Sequence, residues 1–162
     1  MQYKDLNYNM AEILEGMSKD VIMHLMNPHN YGKIENPTCI GIASDEKTGE
    51  YVIFYTLRED NTIKDVKFAT NGCQDTVVIG SMYTDMIMGE SVEYAHSALG
   101  KIKEKLGVMT KQQQICAEIV LNAFVASMIN FDNLAEGKEE EAHIIKMTES
   151  CEIPDEEKTD EL

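Results

Sequence analysis

The order of the patterned segments along the chain is the feature that most constrains its fold. Residues 51–57 are rich in β-branched and aromatic side chains, and residues 62–70 alternate apolar and charged side chains; both patterns are typical of strands, here joined by a hairpin loop at 58–61. Residues 40–43 have the composition of a third, shorter strand. Because the strands precede most of the helical segments, the sequence predicts an α+β fold with a small antiparallel sheet of about three strands packed against a helical half.

Four segments carry apolar residues at the spacing of an amphipathic helix. The first stops before Asn27-Pro28 and is one helix or two, and the second ends at Gly89, as helices commonly do at glycine. The predicted helical segments are residues 8–25, 76–88, 92–106 and 112–131.

The charge of the chain restricts its partners. The sequence has 14 Lys and Arg residues against 29 Asp and Glu residues, a formal net charge of -15, which argues against binding nucleic acid or an anionic membrane surface. No stretch approaches the length of a membrane span, and the N-terminus has no secretory apolar region, so we expect a cytoplasmic protein. From residue 133 the composition shifts to acidic runs. We therefore predict one domain over residues 1–132 and an acidic, flexible tail over 133–162.

The cysteines point to metal or sulfur chemistry. Four cysteines in a chain of 162 residues are too sparse for a disulfide framework, so we interpret them as thiols. Cys73 follows a predicted strand and Cys116 comes 43 residues later, each at or near the start of a predicted helix, where N–H groups and the helix dipole favour a thiolate. Two such thiols point to metal or sulfur chemistry, whereas Cys39 and Cys151 are interpreted as ordinary thiols.

Two separated motifs carry a resemblance to a known family. The first is Asn-Pro-His-Asn-Tyr-Gly at residues 27–32, and the second is Gly72-Cys73 at a strand end, followed by a helical segment with spaced small polar residues. Both resemble elements of the NifU/IscU-type iron–sulfur cluster scaffold family, and the similarity covers residues 17–131. The positions after Cys73 that match the family are Ser81, Thr84, Gly89, Ser91 and Cys116.

The resemblance implies a SufE/NifU-like fold and an assembly platform, not an enzyme. In that family a cysteine desulfurase delivers sulfur, iron arrives, and a [2Fe-2S] cluster forms and passes to recipient iron–sulfur apoproteins. The family site has three cysteines, with an aspartate two residues after the first and often a histidine before the last. The implied ligands here are Cys73, Cys116 and Glu50, which stands in place of the aspartate.

The sequence departs from the family pattern at three places. Thr48 replaces the first cysteine, and its hydroxyl stays protonated at neutral pH, which makes it a poor ligand for iron or zinc. Ile115 stands where a histidine is common, and residues 109–113 lack the Leu-Pro-Pro-Val-Lys motif that an Hsp70-type chaperone recognises in many scaffolds. Delivery by such a chaperone is therefore not expected.

The number of ligands leaves alternatives open. A [2Fe-2S] cluster takes four protein ligands, mostly thiolates, so the missing ones come from Cys39, from a second subunit in a homodimer, or, for a mononuclear ion, from Asp45 or Glu46. We favour a scaffold or carrier of iron or a cluster. The alternatives are a degenerate relative that docks to or regulates the sulfur-transfer machinery, and a zinc-bound sulfur-transfer protein. The four histidines, at 24, 29, 96 and 143, show no metal-ligand spacing and are interpreted as surface or capping residues.

Overall fold

The computed structural model describes residues 19–147, and within them a four-stranded mixed sheet packs against helices. The strand order is β3-β2-β1-β4. The strands are β1 (Cys39–Asp45), β2 (Tyr51–Glu59), β3 (Thr62–Thr70) and β4 (His143–Met147). The helices are α1 (Lys19–Met26), α2 (Gln74–Ile87), α3 (Val92–Ser97), α4 (Leu99–Leu106) and α5 (Lys111–Ala135).

The three predicted strands form an antiparallel meander. β2 and β3 are joined by a tight turn in which Asp60 has a φ of 53°, a left-handed conformation that aspartate tolerates better than most residues. β1 pairs antiparallel with β2 from Cys39↔Thr56 to Ser44↔Tyr51. The α+β prediction is confirmed, although the sheet has a fourth strand, β4, which runs parallel to β1 and makes the sheet mixed.

β4 lies in the segment that the sequence predicts to be an acidic tail. α5 extends to Ala135, and β4 then pairs with β1 from Gly41↔His143 to Asp45↔Met147. The strand was missed because it is only five residues long, with three apolar side chains, and follows a run of glutamates, so no alternation stands out. Residues 133–147 therefore continue the fold, and the rest of the predicted tail lies outside the described residues.

The predicted helix over residues 92–106 is two short helices that meet at Ala98. The Ala98 amide donates to the Ala95 carbonyl, three residues back, so the regular helical hydrogen-bond ladder is interrupted there. The Ser91 side chain caps the first of the two helices by accepting the Tyr94 amide hydrogen. Of the predicted first helix, the described residues contain only α1.

α5 is the central helix of the core. It packs across β1 and β2, and it contacts β1 so closely at Gly41 that any larger residue there would overlap its backbone. Phe54, Tyr83 and Phe124 join sheet, α2 and α5, with ring centroids 5.9 to 6.3 Å apart. By length and composition α5 alone among the described helices would suit a membrane span, but 56% of its most apolar window is buried inside the fold, as in a core helix.

Candidate functional site

Cys73 occupies the junction between the sheet and α2. It is the N-cap residue of α2, with extended backbone angles, and its thiol is half-buried. Burial raises the pKa of the Cys73 thiol, but hydrogen bonds to its sulfur lower the pKa by more. The donors are the N–H groups of Thr76 and Asp75, the Thr76 hydroxyl and the Gln112 side-chain amide. The pKa therefore lies below the ordinary value of 9.0. This environment favours a thiolate at the start of a helix, as the sequence predicts.

Cys116 approaches Cys73 from α5. Its sulfur lies 3.9 Å from the Cys73 sulfur, and the residue is fully buried. Cys116 is the sixth residue of α5, beyond the four N–H groups that a helix leaves unpaired, so the helix-terminus argument applies to Cys73 and not to Cys116. The structure nevertheless brings the two predicted cysteines together, one at the mouth of the site and one behind it.

The distance between the two sulfur atoms suits a shared metal ion. Two thiolates bound to one tetrahedral ion at about 2.3 Å lie about 3.8 Å apart. The observed 3.9 Å separation of the Cys73 and Cys116 sulfurs is close to that value, and it is well beyond the roughly 2 Å of a disulfide bond. Two thiolates at this separation could hold one metal ion without a large movement of α2 or α5.

Gln112 is a further polar contact of the site that the sequence reasoning missed. Its side-chain amide donates to the Cys73 sulfur at 3.5 Å. Gln112 precedes Cys116 by four residues on α5, and side chains at that spacing lie on the same face of a helix. The spacing is the signal that would have placed Gln112 beside the thiols.

The loop between β1 and β2 lies against the Cys73 segment. Asn71 fastens it there: its side-chain oxygen accepts the Tyr51 amide hydrogen at 2.8 Å, and its side-chain nitrogen donates to the Gly49 carbonyl at 3.1 Å. Glu50 belongs to this loop, and its carboxylate oxygen lies 3.0 Å from the position a Cβ would take at Gly72. The glycine before Cys73 thus leaves room for the Glu50 carboxylate beside the site.

Thr48 of this loop and Asp45 at the end of β1 both accept hydrogen bonds within the turn that joins β1 to β2. The Thr48 hydroxyl accepts the Glu50 amide hydrogen at 3.2 Å, and the Asp45 carboxylate accepts the Lys47 amide hydrogen at 2.9 Å. Asp45 is also 3% exposed, and Glu46 pairs with Lys146 at 3.5 Å on the surface. Of the loop residues, Glu50 is the one whose carboxylate lies against the Cys73 segment.

Cys39 does not fold over the site as one sequence alternative required. It is the first residue of β1, 2% exposed, and it pairs with Thr56, whereas Ser44 and Tyr51 lie at the end of the sheet nearest the thiols. Five residues of strand separate the two ends, about 17 Å. Burial raises the pKa of the Cys39 thiol to about 12, so this thiol is protonated and packed as a small apolar side chain. Cys151 lies outside the described residues.

The Asn-Pro-x-Asn-x-Gly segment, residues 27–32, forms a strap that ties α1 to the sheet and to α2. Asn30 has a φ of 60°, and its side chain donates to Thr84 at 3.0 Å and to Asp85 at 3.1 Å. The backbone of the strap bonds to Phe68 on β3 through the Asn30 carbonyl and the Gly32 amide. The two motifs of the sequence are therefore in contact, because the strap is held by the helix that begins at Cys73.

The histidines of the strap region correct another sequence interpretation. His24 is 8% exposed and lies with His29 and Asp85 in one cluster, so these two histidines are neither isolated nor simply on the surface. Asp85 is on α2, 56 residues after His29, and so distant a partner gives no short-range spacing for a sequence search to find.

Comparison with known proteins gives a family match over most of the chain. The family described as NifU-like N terminal domain matches residues 17–137. The iron-sulfur cluster assembly scaffold proteins IscU 1 and IscU 2 of Archaeoglobus fulgidus are each 31% identical to the chain over 115 residues, 70% of this chain and 75% of theirs. The iron-sulfur cluster assembly scaffold protein IscU of Aquifex aeolicus is 30% identical over 129 residues, 77% of this chain and 81% of its own.

A solved structure has the same fold at low sequence identity. The N-terminal part of a nitrogen-fixing NifU-like protein from Brucella abortus superposes with a TM-score of 0.53 and 12% identity, over 72% of this chain and 94% of that one. The likeness extends to the α+β arrangement of sheet and helices that positions Cys73 and Cys116.

Proposed function

The chain belongs to the family of NifU-like N-terminal domains, and on that basis we propose that it is an iron–sulfur cluster assembly scaffold or carrier, which holds iron or a [2Fe-2S] cluster through Cys73 and Cys116. The observation that carries the proposal is the 3.9 Å separation of the two sulfurs, together with the lowered pKa of Cys73. The cluster is cargo in this role, so the protein acts stoichiometrically and not as an enzyme.

Cys73 is the residue that accepts sulfur in this proposal. Its thiolate attacks the outer sulfur of a persulfide on a cysteine desulfurase; a new S–S bond forms on Cys73 and the desulfurase cysteine leaves as a thiolate. Cys116 is fully buried and lies behind Cys73, so it serves as a ligand and not as the point of entry. A dithiol reductant then supplies two electrons: it is oxidised to its own disulfide, the transferred sulfur leaves as sulfide, and the Cys73 thiolate is restored. Iron and sulfide bind between the two cysteines, with the Glu50 carboxylate as a third ligand.

One chain is short of ligands for a cluster. Two thiolates and one carboxylate fall below the four ligands that a [2Fe-2S] cluster takes, and Cys39 is too far away to help. We therefore propose that the complete cluster is bridged between two chains, each contributing Cys73 and Cys116, before it passes to a recipient apoprotein.

Two other functions each have one observation in their favour. Two thiolates and a carboxylate with room for a water make an open zinc site, which would suit a zinc-bound sulfur-transfer protein. The Thr48 hydroxyl, already held in its turn, suits a relative that docks to the sulfur-transfer machinery and builds no cluster. Both are weaker because the relatives that match the chain at 30 to 31% identity are named as iron-sulfur cluster assembly scaffold proteins.

The test is assay of bound iron, zinc and acid-labile sulfide in anaerobically purified protein, before and after anaerobic reconstitution with ferrous iron, cysteine, a cysteine desulfurase and dithiothreitol. We expect iron and sulfide in equal amounts in the parent, and loss of most of both in Cys73→Ser and Cys116→Ser, because a serine hydroxyl is neither soft nor ionised at neutral pH. Cys39→Ala and Cys151→Ser are the matched controls and should load as the parent does. Zinc without sulfide would favour the sulfur-transfer function, and no bound metal would favour the docking function.

A further inference from the structure

His24, His29 and Asp85 form a cluster near the C-terminal end of α2, at the opposite end of the helix from Cys73. Their ligating atoms all lie within 4.8 Å of one another, with His29 Nδ1 2.9 Å and His24 Nε2 3.9 Å from the same oxygen, Oδ2, of Asp85. The three residues come from α1, the strap and α2. Asp85 follows Cys73 by 12 residues, about 18 Å along α2, so the cluster is separate from the thiol site.

Neighbouring side chains orient the members of the cluster. Ser81 Oγ shares a hydrogen bond with His24 Nδ1 at 2.6 Å and accepts the His29 amide hydrogen at 2.7 Å. With Nδ1 of His24 held by Ser81, the other ring nitrogen faces Asp85. Asn30 donates to the second carboxylate oxygen, Oδ1, of Asp85 at 3.1 Å and leaves Oδ2 directed at the histidines. Hydrogen bonds of this kind, from outside the ligands, fix the ring orientation at metal sites.

We propose that His24, His29 and Asp85 bind a divalent first-row transition-metal ion such as Zn²⁺ or Fe²⁺. Two imidazoles and one carboxylate are the ligand set that such ions take when they keep open positions for water. Neighbouring ligand atoms on one ion at about 2.1 Å lie roughly 3.0 to 3.4 Å apart, so the 2.9 and 3.9 Å separations measured to the Asp85 oxygen require side-chain shifts of about half an ångström or less. The ion takes the place of the hydrogen between His29 Nδ1 and Asp85 Oδ2, and the neutral His29 ring then carries its proton on Nε2.

The surroundings provide space and access. The cluster lines a cavity of about 250 Å³ whose other walls are Met23, Met82, Met86 and Lys105. Asp85 is half-exposed, so an ion can enter from solvent, and the net charge of -15 attracts cations to the molecule. Lys105 also lines this cavity, and its positive charge opposes a cation, so Lys105→Gln is expected to tighten binding.

Titration with Co²⁺ tests the proposal, because cobalt reports its ligands by colour. A cobalt ion on thiolates gives an intense sulfur-to-metal charge-transfer band in the near ultraviolet, and a cobalt ion on imidazole and carboxylate gives only weak visible bands. The titration uses the full chain carrying Cys73→Ser and Cys116→Ser, which removes the thiol site. We expect one Co²⁺ per chain to bind with visible bands alone. His29→Gln and Asp85→Asn, added separately, should each weaken binding by at least about tenfold.

His143→Gln is the matched control. His143 Nδ1 lies 2.9 Å from a Glu140 carboxylate oxygen, as His29 does from Asp85, and the two side chains are 29% and 32% exposed, but the described residues place no second histidine beside His143. The control should bind Co²⁺ as the parent with Cys73→Ser and Cys116→Ser does. His29 and Asp85 are more exposed than His24, so their variants are expected to fold, and circular dichroism verifies this. If the parent binds no Co²⁺, or the two variants bind it unchanged, the proposal is overturned. Failure of cluster loading at Cys73 would leave these results unaffected.

Discussion

Gly41 is the point at which the fold and the thiol site can be perturbed together. A methyl group on residue 41 of β1 would overlap the Ser127 amide nitrogen and the Ala123 carbonyl oxygen of α5, and would lie 2.6 Å from the Ala126 carbonyl carbon. Carbon atoms in ordinary contact are about 3.5 to 4.0 Å apart. All three obstacles are backbone atoms, so no side-chain rotation relieves the overlap. Gly41→Ala therefore requires α5 to withdraw from the sheet by about 1 Å.

The expected cost of Gly41→Ala is about 3 kcal/mol or more of unfolding free energy, at the upper end of the range for overpacking a core. For a chain of this length, that lowers the melting temperature by roughly 6 to 12 °C. Since Cys116 is on α5 and Cys73 is not, the same withdrawal changes the distance between the two sulfurs. Iron loading per folded chain should therefore fall as well.

Urea denaturation and thermal melting measure the first effect, and reconstitution at low temperature measures the second. Gly100→Ala is the matched control, because Gly100 lies in α4 with open space around its missing side chain. Alanine there should stabilise the protein by about 0.5 to 1 kcal/mol. A loss of less than about 1 kcal/mol in Gly41→Ala would show that α5 moves freely over β1, and would refute the argument from backbone overlap.

Four further outcomes are expected. A short pulse of iodoacetamide at about pH 8 should modify Cys73 and spare Cys39 in the folded protein. The reason is that the pKa of the Cys73 thiol is lowered and the pKa of the Cys39 thiol is raised to about 12. Equal labelling of the two cysteines, measured by peptide mass spectrometry, would contradict this order of pKa values. Thr48→Cys should raise cluster content, and unchanged content in a folded variant would mean that another ligand is already recruited. Reconstituted protein should elute as a dimer with roughly one cluster per two chains. Added salt should favour the dimer because it screens the repulsion between the two negatively charged chains. A monomer with a full cluster would refute a cluster bridged between two chains. Phe124→Ala should lower the free energy of unfolding by about 3 to 5 kcal/mol in urea titrations. An unchanged midpoint would show that the rings of Phe54, Tyr83 and Phe124 do not form a stabilising core.

The parts of the fold that the sequence predicted are those with long local patterns. β3 has the predicted bounds, and β2 and α5 extend the predicted segments by a few residues, because each repeats its periodicity often enough to be recognised. β4 was missed because five residues carry too little pattern, and its position is set by pairing with a strand far away in the chain. The break at Ala98 was missed because its cause is a local change of hydrogen bonding that leaves the apolar spacing intact.

The candidate site divides in the same way. Cys73 and Cys116 were predicted from their positions near helix starts and from the family resemblance, and Glu50 from the resemblance alone. The structure places the two cysteines in contact and the Glu50 carboxylate against Gly72. Their roles as ligands stay predictions. The cluster that contains His29 escaped because its members are contributed by three elements, and only the packing of the strap on α2 brings them together.

The parallel pairing of β4 with β1 has a consequence for the synthesis of the protein. Gly41 pairs with His143, so the edge of β1 stays open until about a hundred further residues have been translated, roughly 5 to 20 s on a ribosome. During that interval β1 presents unpaired N–H and C=O groups to any other strand. The nascent chain is most prone to aggregate during this interval. A chain truncated before β4 would keep the edge of β1 unpaired permanently.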